Sequence, residues 1–404
     1  MTRARRAAPL LIAALIAAAA AAARGAPREV RGLWVVRTAL ASPASVSAMV
    51  ASAREAGVNT LIVQVRGRGD AYYISRLEPR APALAAQPAS FDPLAAVLRE
   101  ARAAGLAVHA WVNVNLVADA GAPPSDPRHV VNRHPEWLMV PMDLAPSIGD
   151  PRGRSFVKTL ASWTRSQAAA VEGLYASPIT RGPADHVVEV VADLVARYAV
   201  DGVHFDYVRY PGAAFDYSQA ALREFRDEVA PEVSSQDREA LDRRQRARPL
   251  VWTEMYPQRW SAFRRDRLTS LVGRLRRVVA EHRPAAVVSA AVVPDAQVAV
   301  GSKFQDWPAW AGGGVVDVLC PMTYATELGV FRQQVESARD AARGRPVWAG
   351  IGAYRLSADE ALDQIREARA LGVDGVLLFS YDSLVSPARG PDNLLRIGAQ
   401  AFGQ

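Results

Sequence analysis

The chain has 404 residues, half of them apolar and 22% charged, which suffices for a large core and excludes long disorder. Its formal charge of +7 comes almost wholly from arginine, Lys158 and Lys303 being the only lysines, and an Ala/Arg-rich bias accounts for it. The arginines are spread along amphipathic stretches, which speaks against nucleic acid as a partner. A single cysteine, Cys320, excludes an internal disulfide.

The first segment stands apart. Arg3, Arg5 and Arg6 precede an unbroken apolar run from Ala7 to Ala23, followed by Arg-Gly-Ala. A basic start, a short apolar stretch and small residues describe a secretory signal peptide over 1–26, with cleavage near Ala23 to Ala26. The run is mostly alanine, which drives membrane insertion weakly. The expectation is export to the periplasm, cell envelope or medium, without stable membrane insertion once the segment is removed. Residues 27–404 then form one domain.

From residue 28 onward one pattern repeats: apolar strand, loop, amphipathic helix, and a short Gly turn into the next strand. Strands are predicted at Arg31–Val36, Thr60–Val65, Ala107–Val114, Gly202–Val208, Ala286–Val293, Val315–Tyr324, Pro346–Ala353 and Gly375–Tyr381. Helical periodicity falls at Ser45–Ala56, Pro93–Ala104, Ala184–Tyr198, Arg264–His282, Phe331–Ala342, Ala358–Ala370 and Asn393–Phe402. Near-continuous apolar strands alternating with helices imply a parallel sheet covered by helices. Eight such units imply an α/β protein built as a single (β/α)8 TIM barrel. No Gly-x-Gly-x-x-Gly follows any strand, so a dinucleotide fold loses its main support.

Two spans exceed ordinary loops, 115–182 after the third strand and 209–263 after the fourth. Both leave the carboxyl ends of strands, the face on which barrel enzymes build their sites. They carry Trp137, Trp163, Trp252 and Trp260, and aromatic rings suit a carbohydrate cleft because sugars present apolar C–H faces. Packing of the long loops on themselves is the competing expectation for each.

The same sorting rule selects polar residues. In "DGVHFDYVRYP" at 201–211, alternation puts His204 and Asp206 on one side of the strand, Tyr207 and Arg209 on the other. Asp201, Asp317 and Asp374 open strands and belong at the opposite end, bonding locally. Further top-end groups are Gln64, Arg66 and Asp70 after strand two, with His109, Trp111 and Asn113 along strand three. Asp295 follows strand five, Tyr324 and Glu327 follow strand six, and Tyr381 and Asp382 end strand eight. Such a ring of hydrogen-bonding groups with several acids suits glycosidic chemistry, in which one carboxyl protonates the leaving oxygen and a second attacks the sugar or activates water. Asp206 is the leading acid, with Glu327 and Asp295 as partners. No His-x-His pair and no His-Glu-x-x-His occurs, so neither a metal nor another cofactor is expected.

"REVRGLWVV" at 28–36, "VQVRGRGDAYY" at 63–73, "HPEW" at 134–137 and "DGVHFDYVRYP" at 201–211 together resemble the bacterial glycosyl-hydrolase-like family 10. The likeness runs from 28 to about 385. It implies a secreted or envelope TIM-barrel glycosidase; the polysaccharide substrate is expected from the two long loops, which can wall a cleft with several sugar subsites. Asp206 matches the acid of the family's strand-four motif; Arg31, Trp34, Arg66 and Asp70 match its first two strand motifs. Many relatives carry Asp-Asp where this chain has Asp206-Tyr207, so the resemblance supplies no second acid there. "VDVLCPMTYATE" at 316–327 is also similar to strand six of family 18 chitinases. Val208 replaces the catalytic Glu of their strand-four motif, which excludes their mechanism. A non-catalytic glycan-binding barrel, which needs no second acid, is the alternative.

Overall fold

The computed structural model describes residues 29–390 and 392–403, so the expected signal segment lies outside the described residues. In chain order the strands are β1 (Val30–Val35), β2 (Thr60–Arg66), β3 (Ala107–Asn113), β4 (Leu116–Ala118), β5 (Leu174–Tyr175), β6 (Gly202–Asp206), β7 (Val287–Val292), β8 (Val318–Thr323), β9 (Trp348–Ile351) and β10 (Gly375–Phe379). All except β4 and β5 are parallel, and they close into one barrel when β10 pairs with β1. The expected (β/α)8 architecture is correct. Among the described residues, no helix is long and apolar enough to cross a membrane.

The closure is clipped at the amino ends of the strands. Asp201 accepts the Val108 N–H at 2.8 Å, Asp317 that of Val288 at 2.8 Å, and Asp374 that of Val347 at 2.9 Å. Asn59 does the same for Arg31 N–H at 2.9 Å. Each clip reaches an adjacent strand, so the expected local role of these aspartates is a cross-strand one. At the other end every barrel strand except β2 runs shorter than predicted. β10 stops at Phe379 because Ser380, in a capping box with Ser383, starts a helix at Tyr381.

Side-chain parity divides the interior. Outward positions such as Leu33, Val63, Val203 and Phe205 meet the helices in the main core. Inward positions fill the barrel with Trp34, Ile62, Trp111, Val318, Cys320, Trp348 and Leu377. Glycines leave room for the largest rings: a Cβ on Gly202 would lie 2.5 Å from the His109 ring, and one on Gly350 would lie 2.9 Å from Trp34.

The two long spans are folded. Residues 115–182 hold the antiparallel pair β4–β5 and a helix at Phe156–Ser166 around a small core that includes Val131, Leu138 and Leu160. Residues 209–263 hold helices at Gln219–Val229, Ser235–Gln245 and Val251–Met255. The long helix begins at Pro257, not at the predicted Arg264. Serine caps (Ser218, Ser234) open two of these helices, a start signal that the span carried in its sequence.

The upper ends of β2 and β3 are tied by Arg66. Its guanidinium meets Glu78 at 2.6 Å, with both side chains fully buried, and also donates to the carbonyls of Asn113 and Val114. Burial alone would raise the Glu78 carboxyl, but Arg66 and His186 hold it down at about 2. Removing one partner leaves the other charge buried and unpaired. Glu78→Leu should therefore destabilise the fold by roughly 3–5 kcal/mol in urea denaturation, and Arg66→Met added to it should recover much of that loss.

Candidate active site

β6 lifts Asp206 to the carboxyl end of the barrel, above an inward layer that is largely aromatic. Directly below it His204 packs edge-on against Trp34 and Trp111. Trp34 Nε1 only donates, so its 3.2 Å contact makes His204 Nε2 an acceptor and leaves Nδ1 to donate to Ser289 Oγ at 2.9 Å. Burial, with His109 nearby, pushes the His204 pKa down to about 3, so the ring is neutral. The floor beneath Asp206 therefore offers it no cation.

Asp206 is 7% exposed. Its Oδ1 accepts the N–H of Tyr207 at 2.6 Å, and Tyr207 itself adopts a left-handed backbone at φ 52°. Burial pushes the carboxyl up to about 6, against the pull of Arg209 and of the Tyr207 N–H. Arg209 in turn lies 4.6 Å over the Tyr207 ring and 2.9 Å from Glu172, whose other oxygen accepts the Tyr175 hydroxyl at 2.6 Å. Burial opposes ionisation of Glu172, yet Arg209 and Tyr175 hold it below the usual carboxylate range.

The mouth is a cavity of about 200 Å³. Trp34, Gln64, Trp111, Asn113 and Asp206 line it, as their strand positions imply, and so does Tyr324 just past β8. Tyr207 and Arg209, expected on the other side of the strand, line it too because β6 ends at Asp206 and strand alternation no longer applies to them. Its polar groups are pre-set by one another. Trp111 Nε1 donates to Asn113 Oδ1 at 2.8 Å, and Gln64 Oε1 accepts from Arg37 at 2.9 Å. Tyr324 stacks on Phe379, ring centres 5.4 Å apart. His204 is the floor, and His109 lies deeper, 5.5 Å from the Trp348 ring.

Other expected site residues go elsewhere. Arg31 points outward and donates to the Phe402 carbonyl at 3.1 Å, because parity opposes it to Trp34. Arg66 is consumed by Glu78, and Asp70 accepts the Arg68 N–H at 2.9 Å and faces a neighbouring cavity. Tyr381 packs into the outer core. Asp382 clasps the end of β1 through Val36 N–H and the Thr38 hydroxyl. Neither acid chosen as partner lines the mouth. Asp295 caps the Ala296–Ser302 helix by accepting from Gln297 and Val298, and Glu327 is exposed at the start of the Leu328–Ala341 helix. Both lie one loop past their strands, where helix starts compete for carboxylates.

Val36, Arg37, Arg68, Leu116, Ala291, Met322 and Phe379 complete the lining and were missed. Phe379 shares parity with the inward Leu377, a signal that alternation could have supplied. Glu172 sits near the end of the first long span, just before β5, where no periodicity marks it.

The tryptophans divide as well. Trp252 and Trp260 are fully buried among Phe225, Phe263 and their helices, so they are core and not platforms. Trp137 is covered on one face by His134, 3.9 Å away and parallel, and Gly182 lies against it. Trp163 is partly exposed. Among the described residues, no group of three or more His, Cys, Asp or Glu is placed to hold a metal ion.

The family model described as Glycosyl hydrolase-like 10 matches residues 29–353. Over 163 residues the chain is 28% identical to Glycosyl hydrolase DigH of Escherichia coli (strain K12), a match covering 39% of this chain and 33% of that one. Over 188 residues it is 26% identical to Glycosyl hydrolase YngK of Bacillus subtilis (strain 168), covering 45% and 30%. The matches thus span about a third of these relatives' length. Among solved structures, the glycoside hydrolase domain of PgaB (BpsB) from Bordetella bronchiseptica superposes with a TM-score of 0.61 at 16% identity, covering 91% of this chain and 98% of that one. A beta-galactosidase from Bacillus circulans sp. alkalophilus gives 0.62 at 13%, covering 94% and 56%. At such identities the likeness is one of fold.

The raised Asp206 pKa has a sign that stability measurements can read. Folding favours the protonated carboxyl, so its contribution is present below the unfolded value near 3.8 and is lost as pH rises through about 6. Asp206→Asn cannot ionise. Its stability relative to the native chain should be nearly level at about pH 4 and higher by roughly 3 kcal/mol at about pH 8, by urea denaturation. Equal differences at both pH values would place the carboxyl in water instead.

Proposed function

The chain belongs to the Glycosyl hydrolase-like 10 family, and on that premise we propose that it hydrolyses O-glycosidic bonds in a polysaccharide, with Asp206 as the acid. One observation carries the reading. Asp206 is the sole acid among the described residues lining the mouth, and burial keeps its proton on until about pH 6. A carboxyl held neutral in a semi-enclosed, aromatic-lined site is suited to protonate a leaving glycosidic oxygen. Gln64, Asn113 and the guanidinium groups of Arg37 and Arg68 offer donors to sugar hydroxyls. Arg37 is held by Gln64, and Arg68 by main-chain carbonyls, so among the described residues neither positive charge is offset by a bonded carboxylate. That favours a polymer bearing anionic groups, such as peptidoglycan glycan strands or an acidic exopolysaccharide. The reading includes export, supported by the basic and then alanine-rich residues 1–26.

For the second carboxyl, Glu172 is better supported than Glu327 or Asp295. It is bound to Arg209 at the mouth, and its charge acts on Asp206. Its low pKa set against the raised one of Asp206 is the division of labour expected of a base and an acid. That no second acid lines the mouth itself also favours the alternative reading, a barrel that binds glycan without cleaving it.

Reducing-sugar release from the two polymers separates these readings. Hydrolysis predicts that Asp206→Asn lowers kcat roughly 10²–10⁴-fold, and that native kcat falls as pH rises through about 6. Glu172→Gln should cost more than Glu327→Gln or Asp295→Asn, which should leave turnover within about twofold. Binding without product, unchanged by Asp206→Asn, would instead establish the non-catalytic barrel.

A further inference from the structure

The mouth alone is small. At about 200 Å³ it has room for little more than the reacting sugar, yet two larger cavities lie near it. Arg68 lines both the mouth and a cavity of about 320 Å³. A second cavity of about 390 Å³ lies between the two long spans, lined by Trp163, Met142, Gln167, Val171, Pro211 and others. The ion pair between Arg209 and Glu172 lies beside both the mouth and this second cavity: Arg209 lines the mouth, and Lys303, which lines the second cavity, feels both charges. Val171 precedes Glu172 in the chain, and Pro211 follows two residues after Arg209.

The walls of that second cavity are fixed. Met142 N–H donates to the Ala214 carbonyl at 2.9 Å, joining the two spans, and Lys303 donates to the Pro211 carbonyl. Trp163 is held by a bond from Nε1 to Asp143 at 3.0 Å and by an edge-on contact with Phe215, ring centres 5.7 Å apart. Met142 beside it is 44% exposed. A ring oriented by its own hydrogen bond, next to an exposed thioether, is a pre-organised apolar shelf of the kind that receives the C–H face of a sugar. The cavity at Trp137 has no such continuity, because the buried Arg66–Glu78 pair lies between it and the mouth.

We propose that a glycan chain reacting at Asp206 continues over the Arg209–Glu172 bridge and stacks a remote sugar on Trp163, flanked by Met142 and Gln167. The position of the chain rests on the hydrolase reading; the stacking itself does not. Binding energy gained on this shelf orients the reacting unit, so substrates too short to reach it lose turnover as well as affinity. Arg209 and Glu172 then serve a second purpose as the saddle over which the chain passes.

The test uses the full chain with size-fractionated peptidoglycan glycan strands, disaccharide to octasaccharide, and alginate oligomers of the same lengths. For a polymer that is cleaved, kcat/KM should climb with length, and Trp163→Ala should reduce the gain at the long end roughly tenfold. Calorimetric binding of the octasaccharide to the Asp206→Asn chain should weaken by a similar factor when Trp163→Ala is added. Trp163→Phe, which keeps a stacking face, should restore most of both effects. If Trp163→Ala fails to fold, Met142→Ala reads the same shelf from its other side and should act in the same direction. Length dependence and binding that are indifferent to these substitutions would overturn the subsite. Absence of product from every oligomer, with binding still sensitive to Trp163, would remove hydrolysis at Asp206 and leave the subsite standing.

Discussion

A parallel barrel of eight strands stands only if its interior is filled, because each strand is buried on both faces. Here the filling is unusually aromatic: Trp34, Trp111 and Trp348, with His109 and His204 among them. Everything at the mouth follows from that choice. Large rings need glycine opposite them, and Gly202 and Gly350 supply the space. A neutral histidine needs partners for both nitrogens, and Trp34 and Ser289 supply those for His204. The result is a rigid, uncharged floor on which a carboxyl must sit without a cation beneath it.

What the sequence made legible was the part governed by periodicity. Strand parity and Gly turns gave the barrel, and parity placed Trp34, Gln64, Trp111, Asn113 and Asp206 at one mouth. Arg31 shows the rule applied too loosely: it matches a family motif, but alternation with Trp34 already sends it outward to Phe402. Asp295 and Glu327 lie outside the mouth for a different reason. They lie past the strand ends, where a carboxylate before a helix is as easily a cap or a solvated rim charge as a reactant. The long spans were hardest. Sequence distinguishes a tryptophan on a shelf from one in a satellite core only if the span's own helices are recognised. Missing the helix that starts at Pro257 put Trp260 on the wrong side of that line.

The bottom and top of the barrel handle carboxylates in opposite ways. At the bottom, Asp201, Asp317 and Asp374 each accept a main-chain N–H from a neighbouring strand, which satisfies the charge and pins the register. At the top, Asp206 accepts the N–H of the adjacent Tyr207, a residue whose own backbone is left-handed. A non-glycine residue in that region costs of order 1 kcal/mol or more, a cost tolerated where the surroundings fix it. The strain and the raised pKa sit on consecutive residues, as expected where function, not stability, sets the local geometry.

Arg209 poses the remaining question, since a guanidinium so close to a carboxylate ordinarily ionises it. Two contacts explain why burial prevails at Asp206. Arg209 is bonded to Glu172, so the field reaching Asp206 is closer to that of a dipole than of a full positive charge. Its guanidinium is also held over the Tyr207 ring, which fixes its plane there. Glu172, for its part, is kept ionised by Arg209 and by the Tyr175 hydroxyl. One arginine thus holds one acid ionised while leaving the other its proton until about pH 6, and this separation depends on a residue delivered by the 115–182 span. The elaborated loop after β3 is therefore electrostatically part of the mouth, even though the strands alone would have placed Asp206 there.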